Sequence, residues 1–242
     1  MITLPIYFQM VLEYNALEAG LSLAPLSLSM FALSMLAGRK AADRRPSGII
    51  GWGFGLLLIG LVAVVLVVPR GDSGWALALP LAVAGSGLGL LVSQLNNFTL
   101  APISEERVSE AAAVNSAAGS FGLSFGLAFA GAIMLAALSV AFTSAAGSSD
   151  VLAPAQQDRV AQALEDDAQV MSNTQLTEQL AGQSPEVQEE IVRINTDVRP
   201  LALQVGLLVP ILSALVGLVN SFRMARLPQL KRSTAVEGLD FG

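Results

Sequence analysis

Five polar side chains lie together in one long stretch of the sequence that carries no charge. The stretch from Ser73 to Ser104 has no acidic or basic residue, yet its second half contains Ser93, Gln94, Asn96, Asn97 and Thr99. Amide and hydroxyl groups bind ligands or neighbouring helices through hydrogen bonds, and burying them unpaired costs free energy. A second polar pair, Asn115 and Ser116, opens the next apolar segment at a similar depth. Two interpretations stay open: interhelical hydrogen bonds, or a polar cavity lined by Gln94, Asn96, Asn97, Asn115 and Ser116.

Catalytic chemistry is poorly represented in the chain. There is no Cys and no His, which excludes disulfides, thiol nucleophiles, most zinc sites and His-based acid–base catalysis. The sequence places no acid, base, nucleophile or set of metal ligands together at one depth of the predicted bilayer. We therefore predict no enzyme activity, no catalytic residue, no metal and no cofactor. The formal net charge of −6 also argues against a nucleic-acid partner, which needs clustered Lys and Arg.

The charge-free intervals predict the fold. Hydrophobic residues make up 53% of the 242 residues and charged residues only 13%, against about 25% charged in soluble domains. Five intervals without charge are each long enough for a helix to cross a bilayer core of about 30 Å. The predicted spans are 21–38, 49–68, 76–101, 113–142 and 200–222. The expected fold class is an all-α, polytopic helix bundle in the lipid bilayer.

The basic residues predict an orientation for this bundle. Nine of the 13 Lys and Arg fall on one side of the alternating spans and four on the other. By the positive-inside rule, the 38–48 and 102–112 loops and the tail 223–242 are cytoplasmic. We expect a multi-pass protein of the plasma (inner) membrane with a cytoplasmic C-terminus. No predicted span contains an ionisable residue, so the acid that proton coupling usually needs within the membrane is absent from them.

The segment 143–199 is the acidic part of the chain. It holds ten acidic residues against three arginines, and its apolar residues recur at helical spacing. The pattern predicts an outward amphipathic hairpin with helices at 155–171 and 185–198 and a shorter piece at 174–181. Three interpretations of such a hairpin stay open: it covers an outer vestibule, it attracts cations, or it is a packed, solvated structure without either role.

Residues 1–20 precede the first predicted span and predict a separate element. The first twelve are apolar but too short to span, and no basic residue precedes them as in a signal peptide. We expect the outer end of a truncated helix followed by a loop. The alternative is a short interfacial anchor with Tyr7 and Phe8 at the level of the lipid headgroups.

Two further sets of residues have candidate roles. The first is the loop after the first span, a candidate cytoplasmic gate or a plain basic anchor, with Gly38, Arg39, Asp43, Arg44 and Arg45. The second is a set of glycines spaced four apart, which predict close helix packing and, in a transporter, sliding faces. These glycines are Gly51, Gly55, Gly85, Gly89, Gly122 and Gly126.

Several of these stretches resemble one membrane family. They are Leu4-Pro5-Ile6-Tyr7-Phe8-Gln9, Tyr14 to Leu21, Pro25, Ala37-Gly38-Arg39, and Ala101-Pro102 through Glu106-Arg107 to Ala113 and Asn115. Their order and spacing resemble the C-terminal part of the fourteen-helix drug:proton antiporters of the major facilitator superfamily. The resemblance covers nearly the whole chain but about the last third of the family's length.

The resemblance implies a function that the composition alone does not. It implies the C-terminal fragment of a proton-coupled multidrug efflux antiporter that works by alternating access. Its partners would be a missing N-terminal helix bundle, fused or separate, an amphipathic drug-like substrate, and protons. The alternative is a stand-alone five-span membrane protein with a structural or partner-binding role.

Overall fold

The computed structural model of the protein describes residues 3–40, 46–70, 73–166 and 172–226. Within these ranges the chain is helical and contains no strand. A short helix α1 (Thr3–Ile6) continues into a π-helical turn at Tyr7–Val11. The other helices are α2 (Ala16–Lys40), α3 (Pro46–Val67), α4 (Ala78–Leu100), α5 (Val108–Gly147), α6 (Pro154–Asp166), α7 (Asn173–Gln179) and α8 (Pro185–Ala225). Short 3₁₀ turns lie at Val68–Arg70, Gly74–Leu77 and Glu105–Arg107.

Five helical segments are long and apolar enough to cross a membrane. They are Ala16–Gly38, Pro46–Arg70, Gly74–Leu100, Glu105–Gly147 and Pro185–Ala225. Each overlaps one of the five spans predicted from the charge-free intervals. The predicted fold class, an all-α membrane helix bundle, is confirmed, and the protein is a multi-pass membrane protein.

Helix α8 joins two elements that the sequence predicted separately. The second helix of the outer excursion and the last span form one helix of 41 residues that continues through Pro200 and Pro210. The helix is continuous because one apolar stripe runs along it: buried side chains recur every three or four residues on both sides of Pro200. These are Val187, Ile191, Ile194, Val198, Ala202, Leu203 and Leu207. The packed stripe offsets the backbone hydrogen bond that each proline removes.

Helix α5 is also longer than the predicted span. Its 40 residues correspond to about 60 Å at 1.5 Å per residue, roughly twice the thickness of a bilayer core. Helix α6 follows after a short turn, and residues 167–171, at the end of the predicted helix 155–171, lie outside the described residues. The start of α7 carries a capping box, in which the side chains of Ser172 and Gln175 each accept a hydrogen bond from the other's backbone N–H.

The chain divides into two compact units, each with its own core. The first unit comprises Met1–Ala24, Val62–Ala78 and Gly126–Pro210. Its core includes Tyr7 and Phe8, which are 4% and 0% exposed. Because these two rings pack inside protein, the interfacial-anchor interpretation of the N-terminal segment is disfavoured.

The second unit comprises Pro25–Leu61, Leu79–Phe125 and Ile211–Gly242. Its buried apolar side chains include Leu26, Ile50, Leu81, Ala84 and Leu91. Helix α4 packs closely on both α2 and α3 in this unit, and α8 packs on α3. The polar residues singled out in the predicted third and fourth spans, Ser93 to Thr99 and Asn115 to Ser116, all belong to this unit.

Candidate functional site

An amide pair connects α4 and α5 in the second unit. Asn115 Nδ2 donates to Asn96 Oδ1 at 2.8 Å, while Asn96 is exposed and Asn115 half-buried. In a membrane such an interhelical bond contributes on the order of 0.6–2 kcal/mol. The structure therefore brings together two of the five residues predicted to line a polar cavity.

Gln94 occupies a different environment from that pair. Its side chain is 1% exposed, and Nε2 has no hydrogen-bond partner among the described residues. It follows Gly87 and Leu91 on the face of α4 that contacts α3, because these positions are separated by seven and three residues. The amide is thus buried between helices, and its predicted place in the lining of a cavity stays a prediction.

The remaining polar residues of this region, some of which were predicted to line the cavity, do not lie together. Ser116 is exposed, and the side chain of Asn97 lies outside what the structure describes. The hydroxyl groups of Ser93 and Thr99 donate to carbonyl oxygens one turn earlier in α4. These two hydroxyl groups therefore satisfy their donors within their own helix.

The glycines of α4 allow two neighbouring helices to approach it at once. A Cβ placed on Gly85 would lie against the carbonyl oxygen of Leu26, and one on Gly89 against that of Met30, both in α2. A Cβ on Gly87 would instead lie against the backbone nitrogen of Leu57 in α3. Because successive glycines two apart point to different sides of a helix, one short run makes two close contacts.

The other predicted glycines have fewer close neighbours. A Cβ on Gly51 would lie 3.2 Å from Ser221 Oγ in α8, which is closer than ordinary van der Waals contact. For Gly55, Gly122 and Gly126, no heavy atom outside the local helix backbone would lie within 4 Å. Sequence reasoning missed the more crowded glycines, which are Gly53, Gly60, Gly74, Gly87, Gly206 and Gly217. The seven-residue spacing of Gly53 and Gly60, two helical turns, was the available signal.

The first half of α5 contains no buried side chain. The buried residues of this helix are Met134, Leu138, Phe142 and Ala146, all in its last third. Phe121 and Phe125 stack on one side of the exposed part, with ring centroids 6.0 Å apart and exposures of 70% and 61%. The side turned away from these rings contains the small residues Ser116, Gly119, Ser120 and Gly126, together with the exposed Leu123.

The predicted gate loop is described only at its start. Gly38 and Arg39 lie in the last turn of α2, which ends at Lys40, and Gly38 is exposed with open space around its Cβ position. Asp43, Arg44 and Arg45 lie outside the described residues. The gating role of this loop therefore stays a prediction. Among the described residues, no group of three or more acidic side chains is placed to hold a metal ion.

Comparison with known proteins identifies one family. The family model described as Major Facilitator Superfamily matches residues 1–127, which run from the N-terminal segment to the middle of α5. Comparisons with curated proteins and with solved structures found no match. The matched region is 127 of 242 residues and contains three complete apolar helices and part of a fourth. The chain belongs to the Major Facilitator Superfamily, a family of membrane transporters.

Proposed function

We propose that the chain forms part of a proton-coupled multidrug efflux antiporter and works by alternating access together with a further helix bundle. Transporters of this superfamily place their substrate site between two halves of six helices each. The described residues supply five helices that can span a membrane. They therefore account for one side of such a pathway, and the other side would come from the further bundle, fused or separate.

The exposed half of α5 is the observation that carries this proposal. Between Val108 and Ile133 this apolar helix has no buried residue, although it belongs to the matched family region up to Leu127. Large apolar side chains on one side suit lipid, whereas small residues on the other allow a second helix backbone to approach. The residues on both sides of the helix are therefore accounted for if the aromatic face contacts lipid and the small-residue face contacts a further bundle.

The distribution of charge also supports separate roles for this chain and the further bundle. The five predicted spans contain no Asp, Glu, Lys or Arg. Coupling to protons usually requires an ionisable group within the membrane. In the proposed antiporter that acid belongs to the further bundle, while this chain supplies amide and hydroxyl groups such as the Asn96–Asn115 pair.

Site-specific photocrosslinking in the native membrane tests the proposal. A benzophenone side chain at Ser120, on the small-residue face, should capture a polytopic membrane polypeptide. The matched position Phe125, on the aromatic face, should capture lipid alone. Absence of a protein adduct at Ser120 would favour a stand-alone membrane protein with a structural or partner-binding role.

Transport by the captured complex is the second measurement. In proteoliposomes, the complex should expel ethidium when a pH gradient is imposed, and a protonophore should abolish that efflux. The chain alone should show no efflux under the same conditions. Efflux by the chain alone, or none by the complex, would contradict the proposal.

A further inference from the structure

Glu13 joins two parts of the first unit that are far apart in sequence. Its Oε1 accepts a hydrogen bond from the backbone N–H of Thr174, and its Oε2 accepts one from the Thr174 hydroxyl, both at 3.0 Å. Glu13 lies in the loop between the π-helical turn and α2, and Thr174 is the second residue of α7. Both oxygens of this carboxylate thus bond to Thr174, which is 161 positions away in the sequence.

The backbone at Glu13 is held in an unfavourable conformation. Its φ of 53° is positive, and among the described residues it is the one non-glycine residue with such an angle. Strained residues of this kind persist where neighbouring contacts fix them, and they concentrate at clamps and switches. The neighbouring contacts come from Tyr14, whose hydroxyl oxygen accepts from Gly74 N–H at 3.0 Å and whose ring stacks on buried Phe8.

A second polar chain leads from α7 to a buried cation in α8. Arg199 is 3% exposed and donates from Nε to Asn195 Oδ1 at 3.0 Å. Asn195 Nδ2 in turn donates to Asn173 Oδ1 at 3.3 Å, and Asn173 immediately precedes Thr174. A buried guanidinium is costly unless opposite charge and hydrogen bonds compensate it.

Glu13 supplies opposite charge to this network. The bond from the Thr174 backbone N–H lowers the pKa of Glu13 below its ordinary value of 4.5, and the charge of Arg199 lowers it further. Glu13 is therefore ionised at neutral pH. Its side chain is also exposed, so water can replace the two hydrogen bonds when α7 moves away.

We infer that Glu13, Thr174 and Arg199 form a latch that holds the loop at 12–15 against α7 and α8 in this conformation and opens during the transport cycle. The contact is bidentate and close, which holds the elements together. It is also exposed and attached to a strained backbone, which favours release once the contact loosens. The role of the Glu13 latch in transport rests on the proposed function, whereas its closed state is a property of this chain.

Hydrogen exchange of the full chain in lipid nanodiscs tests the closed state. Glu13→Gln keeps the size of the side chain but removes its charge and one strong acceptor. Amides of 172–180 should then exchange at least about tenfold faster, as expected for loss of hydrogen bonds to a charged group. Thr174→Val, which keeps the backbone N–H but loses the hydroxyl, should give a smaller acceleration at the same amides.

Glu18→Gln is the matched control. Glu18 is an exposed acid five residues away, and its carboxylate accepts from the backbone N–H of Asn15 at the start of α2. Its loss should accelerate exchange at the first turn of α2 and leave 172–180 unchanged. If 172–180 exchange at the parental rate in Glu13→Gln, or accelerate equally in Glu18→Gln, the latch is refuted.

The opening step needs a separate measurement in the transporting complex. Because the chain has no cysteine, Glu13→Cys/Thr174→Cys introduces one unique pair that a short bis-methanethiosulfonate reagent can bridge through two disulfide bonds. Bridging should stop transport, and reducing the bridge should restore it. Undiminished transport by fully bridged protein would refute the opening step. A failed transport assay in the parental complex, which keeps Glu13 and Thr174, would instead count against the proposed function, while hydrogen exchange still tests the closed latch.

Discussion

At the scale of single residues, glycines on one helix differ in how much room surrounds them. A Cβ on Gly60 would lie 2.6 Å from the Cα of Ala84 and against its backbone nitrogen, whereas around Gly55 the space is open. We expect Gly60→Ala to lower the free energy of unfolding by about 1–3 kcal/mol, because backbone atoms of α4 cannot rotate away. Gly55→Ala, the same change on the same helix, should be neutral or slightly stabilising. Equal losses for the two variants in detergent unfolding titrations would contradict this packing.

The buried amide of Gln94 leads to a second prediction at this scale. Because Nε2 is buried without a partner among the described residues, it carries a penalty of about 1–3 kcal/mol. Gln94→Leu should therefore raise the thermal unfolding temperature of the purified protein. The comparison is Asn96→Leu, two positions along the same helix, which removes the acceptor for Asn115 and should lower that temperature or leave it unchanged.

Thermal unfolding followed by tryptophan fluorescence measures both variants. A lower unfolding temperature for Gln94→Leu would show that the amide has a bonded partner in the membrane. A gain in stability accompanied by loss of transport in the complex would show that the unsatisfied donor is retained for function.

At the scale of helices, the spans were predictable and their ends were not. The positions of five spans follow from hydrophobic length alone, since a bilayer requires about 20 apolar residues per helix. Helix α8 begins fifteen residues before the predicted span 200–222 because its buried stripe continues from Val187 through Ala202. The change from charged to apolar residues at Arg199 predicts the membrane boundary, but it does not mark a helix end.

The candidate sites were predictable to the extent that they depend on one helix. The similar depth of Asn96 and Asn115 was evident from their places in adjacent spans, and the structure joins them by a hydrogen bond. The crowding at Gly60 depends on which residue of α4 lies against it. The spacing of glycines within α3 carries no information about that residue. Glu13 and Thr174 are separated by 161 residues, and neither belongs to a motif, so their contact required the folded chain.

At the scale of the whole molecule, the connections that the charge pattern predicts on one side of the membrane belong to the same compact unit. The segments predicted to face outward, 69–75 and 143–199, fall in the first unit, and so does the loop that contains Glu13. The α4–α5 connection and the end of α8, both predicted to be cytoplasmic, fall in the second unit. An alternating arrangement of spans predicts which connections share a side, because every second connection returns to the same side of the membrane.

The absolute orientation of this arrangement can be measured with two serines. Ser184 precedes α8 in the acidic segment, and Ser104 precedes the 3₁₀ turn before α5; both are exposed. Because the parent chain has no cysteine, Ser184→Cys and Ser104→Cys each provide one thiol in an unlabelled background. By the positive-inside rule, a membrane-impermeant maleimide should label Ser184→Cys in intact cells and Ser104→Cys only after permeabilisation. The reverse pattern would contradict the predicted orientation and would place the acidic segment, together with the Glu13 latch, at the cytoplasmic face.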